Sequence, residues 1–413
     1  MNDIAKWPGV AARLVVGGVW IVAGLLKIGD PAGNVRAVRA YQLLPESLAQ
    51  LVGHALPTLE IVIGVCLVLG LVTRWVALLS SLMLGAFIIG IASAWARGLE
   101  IECGCFGGGG GPAKGASGAY PWELARDAGL LLLSVYLVWR PRTPLSVDDR
   151  MLPAVPPVAR NAGSTPARAG SRQQAAELRR AAAAQEQQRR NHNVTVAVLV
   201  ALLAVVGVGY AIQANGDVTG QVPGRTPSGV VDRYAFPAGA TDAKTVVDVY
   251  EDFMCPFCGQ FEAGSRSYVD KTAGPHVLFR YHIIAFLDRS SSTQYSSRAA
   301  NALGVVLDTS GPQVAKKFHD ELYERQPQEG SAGLSDADLV QLAVAAGAKQ
   351  SAVEQPIKDG KFAGWVRNAT DAASKAGVNQ TPTVLVDGQP IGGQTIGDIV
   401  AAMESAVAKD AGQ

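Results

Sequence analysis

Five strongly apolar segments constrain the fold of this chain more than any other feature of its sequence. They lie at residues 11–26, 54–72, 75–96, 124–139 and 194–212. Each is close to the length that an α-helix needs to cross roughly 30 Å of hydrocarbon. No small-residue cleavage site follows the first segment, so it does not read as a secretory signal. We therefore predict five transmembrane helices.

The charge of the segment before the last span predicts the orientation in the membrane. Residues 141–192 carry nine arginines against four acidic residues. Because positively charged loops stay in the cytoplasm, this linker is expected inside, together with the N-terminus. The loop at residues 97–120 and everything after residue 214 are then outside. Lys27, Arg36 and Arg39 in the first outer loop oppose this orientation, but the linker carries more charge.

Composition divides the chain further. Residues 141–168 are rich in Pro, Ala and Gly and are expected to be disordered, whereas residues 173–190 are expected to form a helix that leads into the last span. Residues 215–240 read as a tether, and the soluble part begins near residue 244. The formal net charge of +1 gives no reason to expect a nucleic-acid partner. The predicted boundaries are a membrane domain at 1–140, a cytoplasmic linker at 141–192, a fifth helix at 193–213, an outer tether at 214–240 and a soluble domain at 241–413.

Four of the five cysteines form two close pairs, Cys103/Cys105 and Cys255/Cys258. Two local dithiols in so long a chain indicate thiol–disulfide exchange rather than structural cross-linking. Two membrane crossings separate the pairs, so both are expected on the same side of the membrane. The fifth cysteine, Cys66, lies within an apolar span and is expected to be a small packing residue.

The surroundings of Cys255 predict a reactive thiol. A β-branched run at residues 245–250 is typical of a strand, and Pro256 is tolerated in the first turn of a helix. Cys255 then lies at a helix N-terminus, where unpaired backbone N–H groups and the helix dipole favour the thiolate. We expect Cys255 to be the nucleophile and Cys258 the resolving thiol. We expect no metal, because a four-cysteine zinc site would need ligands from two domains.

A second proline-bearing element, Thr381-Pro382, stands at the head of another predicted strand. With the Cys255-Pro256-Phe257-Cys258 motif, residues 244–409 resemble the thioredoxin fold, specifically the DsbA-type thiol oxidoreductases. The resemblance implies an active site at these four residues, a cis-proline turn at Thr381-Pro382 facing it, and a helical insertion at about residues 293–375.

One position departs from that family pattern. Thioredoxins and many DsbA-like proteins place a buried carboxylate six residues before the first cysteine, and here that position is Val249. Acidic residues are close by at Asp248, Glu251 and Asp252. Strand alternation alone does not decide which of them points beneath the dithiol.

The membrane half also resembles a known family. Its motifs are the Tyr41-Gln42-Leu43-Leu44-Pro45 run, Glu60 with Gly64, Arg126-Asp127 and, most specifically, Cys103-Gly104-Cys105-Phe106-Gly107. Over residues 8–140 they resemble the MauE family of four-helix membrane proteins, relatives of DoxX. The resemblance implies redox work on disulfides outside the cytoplasm.

The spacing of Cys103 and Cys105 also favours a redox role for this pair. A disulfide closed across one residue forms a strained ring, and strain makes a disulfide more oxidising. A tether of about 25 residues has a root-mean-square length near 28 Å and gives effective concentrations on the order of millimolar. We therefore predict a transient mixed disulfide between the two pairs. The alternative is a loop with two unpaired thiols.

Ionisable residues at the predicted outer ends of the spans are further candidates. Lys27, Glu60, Arg126 and Asp127 are candidate sites for proton transfer or for a quinone headgroup, with interfacial ion pairing as the alternative. We expect no covalently bound cofactor, and a quinone is the candidate small-molecule acceptor. The five histidines, among them His282 and His319, show no metal-binding spacing and are expected to be ordinary surface or partly buried residues.

Taken together, the sequence predicts an α-helical transmembrane bundle of four helices, with a fifth transmembrane helix that tethers an α/β thioredoxin-fold domain with a helical insertion. The predicted function is a thiol–disulfide oxidoreductase of the bacterial plasma membrane, acting outside the cytoplasm on exported proteins with thiols or disulfides. The oxidising direction is favoured because no cytoplasm-facing cysteine pair could receive electrons from inside. The alternatives are a reductive relay for maturation of exported enzymes of the methylamine dehydrogenase or cytochrome type, and a non-catalytic membrane scaffold or chaperone.

Overall fold

The computed structural model describes residues 7–99, 101, 116–141, 143–148, 171–217 and 225–410. Cys103 and Cys105 lie outside the described residues, so the predictions for their structure stay predictions. The same holds for most of the segment expected to be disordered.

The described part of the N-terminal half is helical. Its long elements are α1 (Trp7–Lys27), α2 (Pro31–Ala40), α3 (Glu46–Leu69), α4 (Thr73–Ala96), α5 (Ala116–Trp139) and α6 (Ser171–Gly216). By length and composition, α1, α3, α4 and the part of α6 at Ala182–Gly216 could cross a membrane. Helix α5, which contains the predicted fourth span, does not belong to this set within the described residues. It carries Glu123, Arg126 and Asp127 near its N-terminal end.

The linker agrees with the expectation in its helical part and differs from it in residues 143–148. The predicted helix at residues 173–190 and the last span form one continuous helix, α6, of 46 residues. Residues 143–148, which lie in the segment expected to be disordered, are instead fixed to the bundle. The guanidinium of Arg13 donates a hydrogen bond to the Thr143 hydroxyl at 2.5 Å, and the Asp148 carboxylate accepts from the backbone N–H of Val72 at 2.7 Å. Hydrogen bonds to charged groups outweigh the low hydrophobicity of this short stretch.

Small residues allow helices α1 and α3 to pack closely. A Cβ atom on Gly17 would lie 2.8 Å from the carbonyl oxygen of Gly64, and one on Gly64 would lie 2.6 Å from that of Gly17. Such close backbone approach is typical of helix pairs in membranes. Beside it, Trp20 donates a hydrogen bond to the Ser80 hydroxyl at 2.8 Å, which ties α1 to α4.

The helix ends fall into two groups at opposite ends of the bundle. At one end, the Gln213 amide donates to the Ile28 carbonyl at 2.9 Å, so the C-terminal ends of α6 and α1 lie together. The C-terminal end of α4 joins them, because Arg97 donates to the carbonyl of Tyr41. The opposite end holds the C-terminal end of α3 and residues 143–148. The chain leading to Cys103 therefore starts at the same end as the chain that leaves α6.

The C-terminal half forms a mixed α/β domain around one five-stranded sheet with the strand order β1-β3-β2-β4-β5. Strand β2 is parallel to β3, and the other pairs are antiparallel. The strands are β1 (Ala235–Ala238), β2 (Thr245–Glu251), β3 (Val277–Ile283), β4 (Thr383–Val386) and β5 (Gln389–Ile391). Strand β1 lies within the predicted tether at residues 214–240, so the sheet begins earlier than the sequence analysis expected. This strand has only four residues, of which the first three are buried and one is a proline, so it lacks the alternation from which a strand is predicted.

Helices cover the sheet and fill the segment between β3 and β4. Helix α7 (Pro256–Thr272) follows β2. Between β3 and β4 lie α8 (Tyr295–Ser310), α9 (Pro312–Glu324), α10 (Asp336–Ala346), α11 (Gln350–Lys358) and α12 (Ala363–Lys375), and α13 (Ile396–Asp410) ends the domain. The hydrophobic core lies between the sheet and these helices and includes both Cys255 and Cys258.

Charged contacts join the soluble domain to the bundle. Arg39 on α2 donates to the Asp371 carboxylate at 3.1 Å and to the Ser374 hydroxyl at 3.0 Å, both on α12. Arg289 of the soluble domain lies 3.5 Å from Asp30. Arg36 also pairs with Asp30, at 3.8 Å. The two outer-loop arginines that opposed the predicted orientation therefore have acidic partners at the domain junction.

Candidate dithiol active site

The Cys255/Cys258 pair lies where β2 gives way to α7, as the sequence predicted. Cys255 is the N-cap residue of α7 and Pro256 occupies its first turn. Both cysteines are free thiols and both are buried, whereas Pro256 is exposed and Phe257 is half-buried. Pro256 and Phe257 therefore lie closer to the surface than either sulfur.

A cis peptide bond joins Thr381 and Pro382, as the family resemblance implied. This turn faces the dithiol, because the Cys255 sulfur lies 3.4 Å from the Thr381 carbonyl oxygen. Both residues of the turn are buried. Thr381 and Pro382 thus form one wall of the site.

The pKa values of the two thiols are shifted in opposite directions from the ordinary value of a cysteine. A hydrogen bond from the Cys258 thiol lowers the pKa of Cys255, against the effect of burial. Burial, reinforced by the bond to Cys255, raises the pKa of Cys258 well above its ordinary value. The thiolate therefore forms on Cys255, which is the arrangement of an attacking and leaving sulfur with a protonated partner.

Gln326, which the sequence analysis did not identify, fixes the active-site turn. Its amide nitrogen donates to the carbonyl oxygens of Phe253 at 3.0 Å and Cys255 at 2.8 Å. Gly259 leaves room for this side chain, since a Cβ atom there would collide with the Gln326 amide. No local sequence signal marks a residue that lies just beyond helix α9 as part of this site.

Asp252, one of the three acids considered from sequence, lies buried beside the dithiol. Burial raises its pKa to about 7, although hydrogen bonds from Ser296 and from the backbone N–H groups of Leu287 and Met254 oppose the rise. Its charge acts to raise the pKa of Cys255. The reactivity of the nucleophile is therefore linked to an acid that titrates near neutral pH.

Glu251 is the acid whose charge acts on Cys258. Because side chains alternate along a strand, Glu251 shares its face of β2 with Val249, the position of the family's buried acid. Asp248 lies on the other face, where it accepts two hydrogen bonds from Arg280 at 2.7 and 2.6 Å. The carboxylate near the dithiol is therefore that of Glu251, which lies two residues after position 249 on the same face of β2.

His319 contradicts the expectation of an ordinary surface or partly buried histidine. It is fully buried, hydrogen-bonded to Glu251, and 3.9 Å from Glu262. Burial alone would lower its pKa, but the charges of Glu251 and Glu262 raise it to about 9. Burial and Glu251 raise the pKa of Glu262 to about 8. His319 is the positive group that permits these two carboxyl groups to lie together in the core.

Glu251, Glu262 and His319 are also close enough to hold a metal ion, as are Asp232, Asp248 and His282. In the first group, a protonated His319 already supplies a positive charge. In the second, Arg280 does so. Neither arrangement requires a metal to balance its carboxylates.

The chain matches two family models in separate parts. Residues 5–140 match the model described as methylamine utilisation protein MauE, and residues 234–405 match a model described as thioredoxin. The chain joins a MauE membrane domain to a thioredoxin-like domain. In the thioredoxin-like domain, the paired cysteines, the cis-proline and their positions are those of a protein thiol–disulfide oxidoreductase.

Individual proteins resemble only part of the chain. The serine/threonine-protein kinase PknE of Mycobacterium tuberculosis is 34% identical over 155 residues, which is 36% of this chain and 27% of the kinase. Crystal structures from the same organism include reduced DsbA, 32% identical over 43% of this chain and 98% of that chain, with a TM-score of 0.35. The reduced DsbG structure is 31% identical over 43% of this chain and 88% of that chain, with a TM-score of 0.38. The chain thus spans about a quarter of the curated relative.

The MauE domain brings its four predicted polar residues together. Lys27 and Glu60 form an ion pair at 2.5 Å, and Arg126 pairs with Asp127 at 2.8 Å. Glu60, Arg126 and Asp127 line one small cavity, of about 20 Å³. Cys66 is buried in α3 near the opposite end of the bundle, as expected for a packing residue.

Proposed function

We propose that the chain is a membrane-bound thiol–disulfide oxidoreductase that oxidises exported proteins outside the cytoplasm. The observation that carries this proposal is the placement of the dithiol, with Cys255 at the N-cap of α7 and its sulfur 3.4 Å from the Thr381 carbonyl oxygen in the cis-proline turn. A lowered pKa at the nucleophile stabilises the reduced dithiol, and a stable reduced form makes the disulfide a stronger oxidant. This favours oxidation over the reductive relay.

The proposed oxidation consists of two exchanges. A substrate thiolate attacks the Cys255 sulfur of the disulfide, and Cys258 leaves and takes up a proton. A second substrate thiolate then attacks the mixed disulfide and displaces Cys255 as its stable thiolate. The substrate loses two electrons to the Cys255–Cys258 disulfide, which becomes a dithiol, and leaves with a disulfide of its own.

Reoxidation would use the Cys103/Cys105 pair of the same chain. The Cys255 thiolate attacks that disulfide, and Cys258 resolves the mixed disulfide, which moves two electrons to the membrane domain. The position of the two domains at one end of the bundle supports this contact. A quinone is the proposed final acceptor.

The proposed topology has five transmembrane helices, with the N-terminus and the basic linker in the cytoplasm. In this arrangement α5 crosses the membrane with its acidic and basic residues at the outer end. The nine arginines of the linker outnumber Lys27, Arg36 and Arg39 of the first outer loop, which supports this orientation.

Trapping of mixed disulfides tests the proposal. In full chains carrying Cys258→Ala together with Cys105→Ala, Cys255 and Cys103 are expected to form a stable disulfide. Cleavage in the tether followed by non-reducing electrophoresis should leave the two domains joined, and Cys66→Ala in the same background is the matched control. Absence of the link in all four pairings of the single variants would refute the relay. Substrate oxidation that survives Cys255→Ala would instead favour the scaffold.

A further inference from the structure

An apolar cavity of about 270 Å³ opens in the MauE domain between helices α1 to α4. Its walls are largely hydrophobic, with Val38, Leu56 and Phe87 among them. Lys27 and Tyr41 are polar members of the lining. The volume is near the lower end of the range for small-molecule sites, and an apolar wall with few polar groups is typical of such sites.

Lys27 is the charged member of the lining, and its buried ion-pair partner, Glu60, lines the small cavity described above. Lys27 and Glu60 are 3% and 0% exposed. Within the described residues, the Lys27 ammonium donates to Glu60 Oε1, whereas Glu60 Oε2 is buried without a hydrogen-bond partner. An ammonium has three N–H donors, so others remain for a ligand oxygen. Ionisable residues inside a membrane domain are costly and mark functional sites by default.

The chain that leads to the membrane dithiol is fixed beside the same cavity. Ile101, two residues before Cys103, is buried in a cluster with Ala40 and Ala94, against which Tyr41 packs. Arg97 donates a hydrogen bond to the Tyr41 carbonyl oxygen. Tyr41 also lines the cavity. The cavity therefore lies next to the point at which the dithiol loop leaves the bundle.

We propose that this cavity binds the ring of a quinone whose hydrocarbon tail extends into the lipid. The inference rests on the proposed relay, which supplies the electrons. A quinone ring is flat and apolar and carries carbonyl oxygens that accept hydrogen bonds, and Lys27 donates to one of them. A lipid acyl chain would fit the walls but offers no acceptor for the ammonium.

The reaction at this site balances in electrons and protons. The thiols of Cys103 and Cys105 lose two electrons and two protons as their sulfurs bond to each other. The quinone takes up both electrons and two protons and becomes a quinol. Lys27 is the buried group at the ring that can pass a proton to its oxygens, and Glu60, which accepts a hydrogen bond from Lys27 behind the cavity wall, can return a proton to Lys27.

A matched pair of glycine substitutions on α4 tests the site. A Cβ atom on Gly90 would lie 3.5 Å from the Tyr41 ring, an ordinary contact, so the side chain in Gly90→Leu enters the cavity without a collision at Cβ. Gly85 lies outside the cavity lining and has no atom within 4 Å of its Cβ position, so Gly85→Leu is the control. Binding of decylubiquinone and of menadione to the full chain in nanodiscs is measured by calorimetry. We expect Gly90→Leu and Lys27→Met to weaken binding at least about tenfold, and Gly85→Leu to leave it within about twofold.

Three results would overturn the inference. One is wild-type affinity of Gly90→Leu for both quinones, and another is the absence of quinone binding to the wild type. The third is equally tight binding of a saturated alkyl analogue without carbonyl oxygens, which would identify an acyl-chain site. If quinone does not bind while the mixed disulfide still forms, the proposed oxidoreductase function is retained and the proposed quinone site is wrong. If quinone binds and no mixed disulfide forms, the relay is the part that fails.

Discussion

Replacement of Asp252 by Asn is expected to change how the stability of the thioredoxin-like domain depends on pH. Burial raises the pKa of Asp252 from 3.8 to about 7. The folded state therefore binds a proton at pH values where the unfolded chain has lost it, so this group's contribution falls as the pH rises from about 4 to about 7. At 1.36 kcal/mol per pKa unit, the decrease between pH 5 and pH 8 is roughly 2 to 3 kcal/mol, and Asp252→Asn should lack it.

Urea titrations of the full chain in detergent, read by pulse proteolysis of the thioredoxin-like domain, measure this difference at several pH values. Other groups with a raised pKa, such as Glu262 and His319, contribute a slope common to both proteins, so the wild-type curve minus the Asp252→Asn curve isolates Asp252. Asp252→Asn should also shift alkylation of Cys255 to lower pH, because a negative charge beside the nucleophile is lost. Parallel stability curves for the two proteins would refute the reasoning.

Three further substitutions test the contacts around the dithiol. His319→Leu should cost about 3–5 kcal/mol in the same urea assay, because it leaves two buried carboxyl groups without their positive partner. Adding Glu251→Gln should restore part of that loss, and strictly additive effects would contradict a coupled cluster. Arg39→Ala should speed amide hydrogen exchange in Ala363–Lys375 by about tenfold, as loss of charged hydrogen bonds at the domain junction predicts. Unchanged exchange would show that the contact does not hold α12. Gln326→Ala should slow alkylation of Cys255 at fixed pH, since two carbonyl oxygens of the turn lose their donor, and an unaltered rate would exclude a positioning role.

The sequence predicted those parts of the site that depend on local chemistry. Cys255 at a helix N-terminus follows from a β-branched run and a proline at the first helical position, both within twelve residues of it. The turn at Thr381 and Pro382 follows from a proline where a strand should begin. Each of these depends on neighbours along the chain, so an isolated segment carries the information.

The residues that the sequence analysis missed depend on contacts between distant elements. His319 is 68 residues from Glu251, and a single histidine gives no spacing from which to predict that pairing. A signal did exist, because Ala315, Phe318 and Leu322 define the buried stripe of α9 and His319 lies within it. A histidine on such a stripe needs a buried partner, and the acids around Cys255 were the candidates.

The position of Glu251 explains why His319 is buried in the core. Moving the carboxylate from position 249 to Glu251 keeps it on the face of β2 that points towards α7, where Glu262 also lies buried. Two carboxyl groups in one dry site cannot both be ionised without a positive charge beside them. His319 supplies that charge from α9, so the acid, its neighbour and the histidine form one unit across three elements. Any change to one of the three should therefore alter the acidity of Cys258 through the other two.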